Sequence, residues 1–338
     1  MKKLVKILRD QRFTNAFVVL ALFLFFSIVT EAFFRFENIT DVFKSYAVLG
    51  IMACGMLPII ISGGIDVSVG AVISACACVM ALFMKNVSSS IFLALVVSCL
   101  TGVFFGAING FLISKLNIQP LIVTLGTCSI INGFMIYLTN GSWIVGLPEN
   151  LVALGRLRPL GIPIQAIIFV AVVLLTWFLL RYTIYGRGVY AIGGDETSAM
   201  RIGFKPAKIK LLLYCYMGLL SGLAAVVHTS IMSQVDPNAF KGYEMTVISA
   251  VVLGGVNISG GFGGVFGVIV GVLFLGITYN GLVLLKVSSY WQSIIVGAIM
   301  LLAIAMDTLR KKHEMKSKTV VDVEYAKETI AGEESGRK

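Results

Sequence analysis

The stretch MACGMLPIIISGGIDVSVGAVISACACVMALF, residues 52–83, holds two apolar runs separated by Ser62-Gly63-Gly64-Ile65-Asp66-Val67-Ser68. About 20 consecutive apolar residues are enough for a helix to cross the hydrocarbon core of a bilayer, and both runs approach that length. The chain therefore reads here as two membrane helices joined through a short polar break. Working outward, the same alternation predicts spans near 14–32, 46–62, 69–85, 91–114, 119–139, 163–181, 208–230, 244–256, 264–285 and 288–309. The fold class is all-α, a polytopic transmembrane helical bundle of about ten spans. Composition agrees, since 58% of the 338 residues are hydrophobic and 13% charged, against roughly 45–50% and 25% for soluble domains.

The formal charge of +10 does not point to nucleic acid, because the basic residues flank apolar segments instead of forming one exposed patch. They read as topology signals. Lys2, Lys3, Lys6, Arg9 and Arg12, then Arg181, Arg187, Arg201, Lys205, Lys208 and Lys210, then Arg310, Lys311 and Lys312 are expected on the cytoplasmic side. Both termini then lie inside, and residues 140–162 and 231–243 outside. The predicted organisation is a basic cytoplasmic N-terminus (1–12), a transmembrane domain (13–309) with a cytoplasmic loop at 181–210, and a disordered cytoplasmic tail (310–338). The first apolar run lacks a small-residue cleavage site and is read as a retained helix.

Catalysis by this chain is not expected. No Gly-x-x-x-x-Gly-Lys-Ser/Thr loop, HExxH or GxSxG occurs, and the two histidines, His228 and His313, form no cluster. Cys54, Cys76, Cys78, Cys99, Cys128 and Cys215 sit in apolar runs without metal-ligand spacing, so neither a disulfide nor a metal site is predicted.

The break at Gly63-Gly64-Ile65-Asp66-Val67-Ser68 has a counterpart at Gly254-Gly255-Val256-Asn257-Ile258-Ser259. A degenerate internal repeat accounts for the pair. Non-helical backbone at membrane depth survives only inside protein or beside water, so Gly63, Gly64, Asp66, Ser68, Gly254, Gly255, Asn257 and Ser259 are candidate pathway residues. The alternative is a pair of tight turns at the membrane face. Asp66 and Asn257 are expected to cap the helices that follow. Gly-x-x-x-Gly runs at Gly102, Gly106, Gly110 and at Gly263, Gly267, Gly271 bare one helix face, which suits close helix packing, within the chain or between two copies.

In the 181–210 loop, Asp195 is placed to N-cap a two-turn helix from Glu196 to Ile202, with Gly203 at its left-handed end and Pro206 beyond. Such a charged helix between two spans suits docking of a soluble partner, and a solvated topology loop is the alternative. On the other side, the polar turn from Asp236 through Lys241 to Glu244 flanks a broken helix and suits a second docking surface.

Long motifs in order carry a resemblance: IISGGIDVSVGAVIS (60–74), GAINGFLISKLNIQPLIVTLGT (106–127), YGRGVYAIGGDETSAMRIG (185–203), GYEMTVISAVVLGGVNISGGFGG (242–264) and VSSYWQSIIVGAIMLLAIAMD (287–307). From about Ala47 to Asp307 the chain resembles permease subunits of ribose-type bacterial ABC sugar importers, in the superfamily that also holds branched-chain amino acid permeases. The resemblance implies a multi-pass protein of the bacterial inner membrane that passes a sugar or related small polar solute. It also implies a second permease copy, most simply a homodimer, a cytosolic ATPase subunit that binds the ATP and Mg, and a periplasmic solute-binding protein. The 194–203 segment, with Gly194 and Asp195 at its start, resembles the family's ATPase-coupling segment, and Glu196, Ala199 and Gly203 match that segment's pattern. Asn132, Thr246 and Phe262 stand where the family commonly carries Arg, Asp and Arg. The competing reading is an ion-coupled secondary transporter, which would bury several ionisable groups where this chain offers Asp66 and few others.

Overall fold

The computed structural model describes residues 11–298 and residue 301. The described elements are α1 (Gln11–Val29), α2 (Phe36–Ile61), α3 (Val69–Asn86), α4 (Ile91–Lys115), α5 (Pro120–Thr139), α6 (Glu149–Arg156), a 3-10 turn at Pro159–Gly161, α7 (Ile164–Tyr182), α8 (Ile184–Gly194), α9 (Glu196–Arg201), α10 (Pro206–Met232), α11 (Tyr243–Leu253) and α12 (Val265–Leu284). Among the described residues there is no strand, only an isolated bridge between Ile144 and Val235. The chain divides into two compact units, Met1–Val287 and Ser288–Lys338, and residues 289–298 of the second are helical. The expected 288–309 span lies partly outside the described residues. So do residues 1–10 and the 310–338 tail.

Local chemistry sets the helix starts. Pro120 and Pro206 open α5 and α10 at positions where a missing N–H costs nothing. Ser90, Thr183 and Asp195 cap α4, α8 and α9 by accepting from Leu93, Gly186 and Ser198 amides. Among the described residues seven helices, α2, α3, α4, α5, α7, α10 and α12, are long and apolar enough to cross a membrane; α1 adds a shorter apolar stretch and α11 has only 11 residues.

Helix α2 is the centre of the first unit. Every residue from Ala47 to Ile61 is buried, as an all-round apolar helix requires, whereas only a minority of α4 and α5 is buried and both carry exposed apolar side chains suited to lipid. Helices α4 and α10 run antiparallel in backbone contact: a side chain at Gly102 would overlap the Gly218 carbonyl, and one at Gly106 the Tyr214 carbonyl. Ser98 Oγ donates to the Gly222 carbonyl at 2.8 Å, so the pair is stitched where no side chain separates it. Gly267 meets Gly254 and Gly271 meets Ala250 in the same manner between α12 and α11. Both Gly-x-x-x-Gly runs thus lie against helices of the same chain.

Antiparallel pairing of α4 with α10 defines two ends of the bundle. At one, Ile144 and Val235 exchange backbone bonds of 2.9 and 3.0 Å, Lys85 Nζ donates to the Val145 carbonyl at 2.9 Å, and Gly155 of α6 packs on the Ser230 carbonyl. At the other lie Lys115, α8, α9 and the start of α10, where Lys210 pairs with Glu196 at 2.7 Å. The loops 140–162 and 231–243 share one end, and the basic 181–210 segment occupies the other.

Two measurements follow. A cysteine replacing exposed Asn150 should react with a membrane-impermeant maleimide in intact cells, while one replacing Glu196 should react only after permeabilisation; the opposite pattern would invert the topology. Gly106→Val should lower the thermal stability of the purified chain, since overpacking costs about 1–3 kcal/mol, whereas Gly126→Ala, with no atom within 4 Å of the added carbon, should leave it unchanged.

Candidate functional site

Helix α2 stops because its last carbonyls are taken by the chain turning back: Ser62, Gly63 and Gly64 amides donate to Pro58, Ile60 and Ile59 carbonyls at 2.9–3.0 Å. The reversal needs a left-handed residue, supplied by Gly63 at φ +83°. In the second break the left-handed position after α11 is Gly255 at φ +84°. The sequence repeat aligns Gly63 with Gly254, so the two breaks are offset by one residue in backbone conformation.

Beyond the first turn, Asp66 is enclosed by protein. Its Oδ1 accepts from the Ser68 amide at 2.8 Å and the Ser68 hydroxyl at 2.6 Å. Ser68 Oγ in turn accepts from Asn109 Nδ2 at 2.8 Å, and Thr127 Oγ1 lies 2.7 Å from Asn109 Oδ1. Asp66, Ser68, Asn109 and Thr127 are all buried. A polar relay therefore runs from the break through α4 to α5. Tyr214 of α10 closes the other side by donating to the Ile65 carbonyl at 3.2 Å. Burying a carboxylate in apolar surroundings is costly, about 2.5–3.5 kcal/mol on membrane-insertion scales at a helix centre, and these donors offset that cost.

The expected capping of α3 by Asp66 is not what forms: Ser68 stands before the helix, no side-chain bond caps it, and Asp66 accepts from Ser68 itself. Asn257 makes the corresponding bond two residues ahead in a different setting. Its Nδ2 donates to the Gly260 carbonyl at 3.0 Å and its Oδ1 accepts from the Ser259 amide at 3.3 Å, which folds residues 257–260 into a local turn. It does not cap α12, which begins only at Val265 with Gly264 before it. The second break spans residues 254–264 and the first 62–68, so the extra length carries Asn257 away from the helix start. The two breaks meet each other: Gly261 N donates to the Ile61 carbonyl at 2.8 Å.

In the 181–210 segment, α9 runs from Glu196 to Arg201. Asp195 Oδ1 accepts from the Ser198 amide at 2.6 Å, and hydrogen bonding to the charged form, first by the Ser198 side chain and then by its amide, holds the Asp195 carboxyl below the usual carboxylate range. Gly203 closes the helix at φ +93°, with the Phe204 amide donating to the Ala199 carbonyl at 3.1 Å and Ala199 buried beneath. Besides this helix the segment holds a second one, α8, whose eleven residues precede it.

On the far end, Asp236 Oδ1 accepts from the Asn238 amide at 2.8 Å and Lys241 is exposed. Glu244 sits half-buried in the first turn of α11, its carboxylate beside Gly70 at the start of α3. Cys128 of α5 lies within electrostatic reach of both Glu244 and Asp66. Among the described residues no ion pair joins Asp236, Lys241 and Glu244, and no group of three or more His, Cys, Asp or Glu is arranged to hold a metal.

Sequence reasoning passed over Asn109, Thr127 and Tyr214 as partners of Asp66. The available signal was Asn109, the one amide side chain in the apolar run of α4, where an unpaired amide would be costly.

A family model described as branched-chain amino acid transport system / permease component matches residues 38–304. The chain is 39% identical over 288 residues to the ribose import permease protein of Bacillus subtilis, covering 85% of this chain and 88% of that one. Over 297 residues it is 35% identical to the ribose import permease protein of Escherichia coli K12, covering 87% and 92%. Similarity to the D-allose transport system permease protein of the same strain is 33% over 300 residues, covering 88% and 92%. No solved structure matches the chain significantly.

The relay makes an ordered prediction. Asp66→Asn keeps an acceptor for both Ser68 donors, whereas Asp66→Ala strands them at about 1–3 kcal/mol per buried group. Thermal unfolding in detergent and solute uptake should therefore rank native chain, then Asn, then Ala; an Asn variant as damaged as the Ala variant would show that the charge itself is required.

Proposed function

The chain belongs to the permease components of the branched-chain amino acid transport type, and from that premise we propose that it is the membrane-spanning subunit of an ATP-driven importer of a pentose, hexose or related polar solute. The observation that carries this reading is the match to ribose import permeases along almost the whole chain. In this reading the chain crosses the bacterial inner membrane about ten times as two degenerate repeats, with both termini in the cytoplasm. It pairs with a second copy of itself, and a periplasmic binding protein delivers the solute at the end that carries Asp236, Lys241 and Glu244.

A separate cytosolic ATPase subunit holds the ATP and Mg and receives α9 in a groove. What supports α9 as the docking element is its construction: capped by Asp195, closed by Gly203, anchored through buried Ala199 and tied to α10 by the Glu196–Lys210 pair. Such a helix presents a defined surface without help from the partner. The passage for solute then runs beside the two breaks, one carrying Gly63, Gly64, Asp66 and Ser68 and the other Gly254, Gly255, Asn257 and Ser259, which the Ile61–Gly261 bond joins.

Purification with the co-encoded ATPase and binding protein, reconstitution in lipid and measurement of ATP hydrolysis with D-ribose or D-allose test the proposal. Solute-stimulated hydrolysis is expected. Uptake that proceeds without nucleotide and follows an ion gradient would overturn it. Gly203→Val adds a local test: no atom lies within 4 Å of the added carbon, so the damage is confined to the left-handed backbone, at about 1–2 kcal/mol. This variant should insert normally and lose stimulated hydrolysis.

A further inference from the structure

Helix α8 makes a contact that the sequence motifs do not assign. Gly193, one residue before its end, lies so close to the end of α2 that a side chain there would overlap the Ile61 carbonyl oxygen and stand 2.6 Å from Gly261 N. The Ile61 oxygen is one of the carbonyls a helix leaves unsatisfied at its C-terminus, and Gly261 N from the second break already donates to it. A side chain at Gly260 would lie 2.9 Å from the Gly193 carbonyl and 3.1 Å from Gly63 N. Three backbone segments therefore meet around one oxygen atom.

One turn earlier on the same face of α8, Tyr190 donates its hydroxyl to the Gly263 carbonyl at 3.0 Å. Gly263 stands two residues before α12 begins. Helices α8 and α9 are themselves joined through a single residue: the Asp195 amide donates to the Ala191 carbonyl at 3.1 Å to close α8, while its carboxylate opens α9.

We propose that α8 and α9 form one lever whose Tyr190–Gly193 face bears on both helix breaks at once, making Gly193 and Tyr190 positioning residues for the movement that opens the solute passage. The proposal rests on the reading that an ATPase engages α9. Its physical basis at Gly193 is backbone set directly against backbone, with no side chain between. Close-packed backbone has low compressibility and transmits a displacement instead of absorbing it. A shift of α9 then reaches α2 and α3 through Ile61 and reaches α12 through Gly261 and Gly263 together, so the two breaks respond as a pair.

The experiment uses the assembled importer with single reporter cysteines at half-exposed Ser62 or exposed Ser259, the chain without a reporter serving as blank. Maleimide labelling is compared with and without a non-hydrolysable ATP analogue, no transported solute being needed. In the otherwise native chain the analogue should change the labelling rate at both positions by about fivefold or more. Gly193→Ala should abolish the change at both. Tyr190→Phe, which removes only a hydroxyl and leaves the Gly193–Gly261 contact, should weaken it at Ser259→Cys and spare Ser62→Cys, with the ATPase still bound in either variant. Labelling changes that persist in both variants, or that are missing from the native chain bound to its ATPase, would overturn the lever. Failure of the chain to assemble with the ATPase at all would instead overturn the importer reading.

Discussion

A membrane interior offers no water to a broken helix, so each backbone group freed by a break must find its partner within the protein. The organisation of the first compact unit follows from that constraint at the Ile61 carbonyl. Helix α2 ends there, and the amide that satisfies this oxygen comes from Gly261, 200 residues further along the chain. The two interruptions thus share one backbone hydrogen bond. The carboxylate of Asp66 obeys the same rule by a different route, taking both of its donors from Ser68 and recruiting α4 and α5 through Asn109 and Thr127.

The same lack of solvent explains the reliance on bare backbone. Lipid tails are as apolar as leucine, so helices gain little by burying apolar side chains against one another and associate through close packing instead. Helix α4 meets α10 at Gly102 and Gly106, α12 meets α11 at Gly267 and Gly271, and α8 meets the breaks at Gly193. A side chain at Gly126 or Gly133 of α5, by contrast, would meet nothing within 4 Å, although these glycines look no different in the sequence. Small residues permit an approach; only the position of the opposing helix turns one into a contact.

Where sequence and structure part, local preference has given way to tertiary contact. The span expected from residue 46 begins at Phe36, because the polar turn carrying Glu37 and Asp41 stays helical, with Asp41 paired to Arg158 and Asn38 to Asn280. Helix α8 contains Gly186, Gly188, Gly193 and Gly194, a composition that weakens an isolated helix by about 1 kcal/mol for each glycine relative to alanine. It forms nonetheless, and three of those glycines are in place because the Leu179 and Leu180 carbonyls crowd Gly186, Phe204 and Ile209 crowd Gly188, and the Ile61 carbonyl crowds Gly193.

The sequence by itself determined the apolar runs, the sites where helices must break, the capping of α9 by Asp195 and its closure at Gly203. These are properties of neighbouring residues: length of hydrocarbon, a side-chain acceptor three residues ahead of a donor, a backbone angle only glycine adopts freely. Tertiary structure alone decided that the two breaks touch, that Asp66 reaches Asn109, and that Asn257 turns inward on its own loop instead of capping α12. The reason is that each of these depends on which groups arrive within about 3 Å of one another. That distance is set by the packing of helices far apart in the chain, and residue order along a single segment carries no record of it.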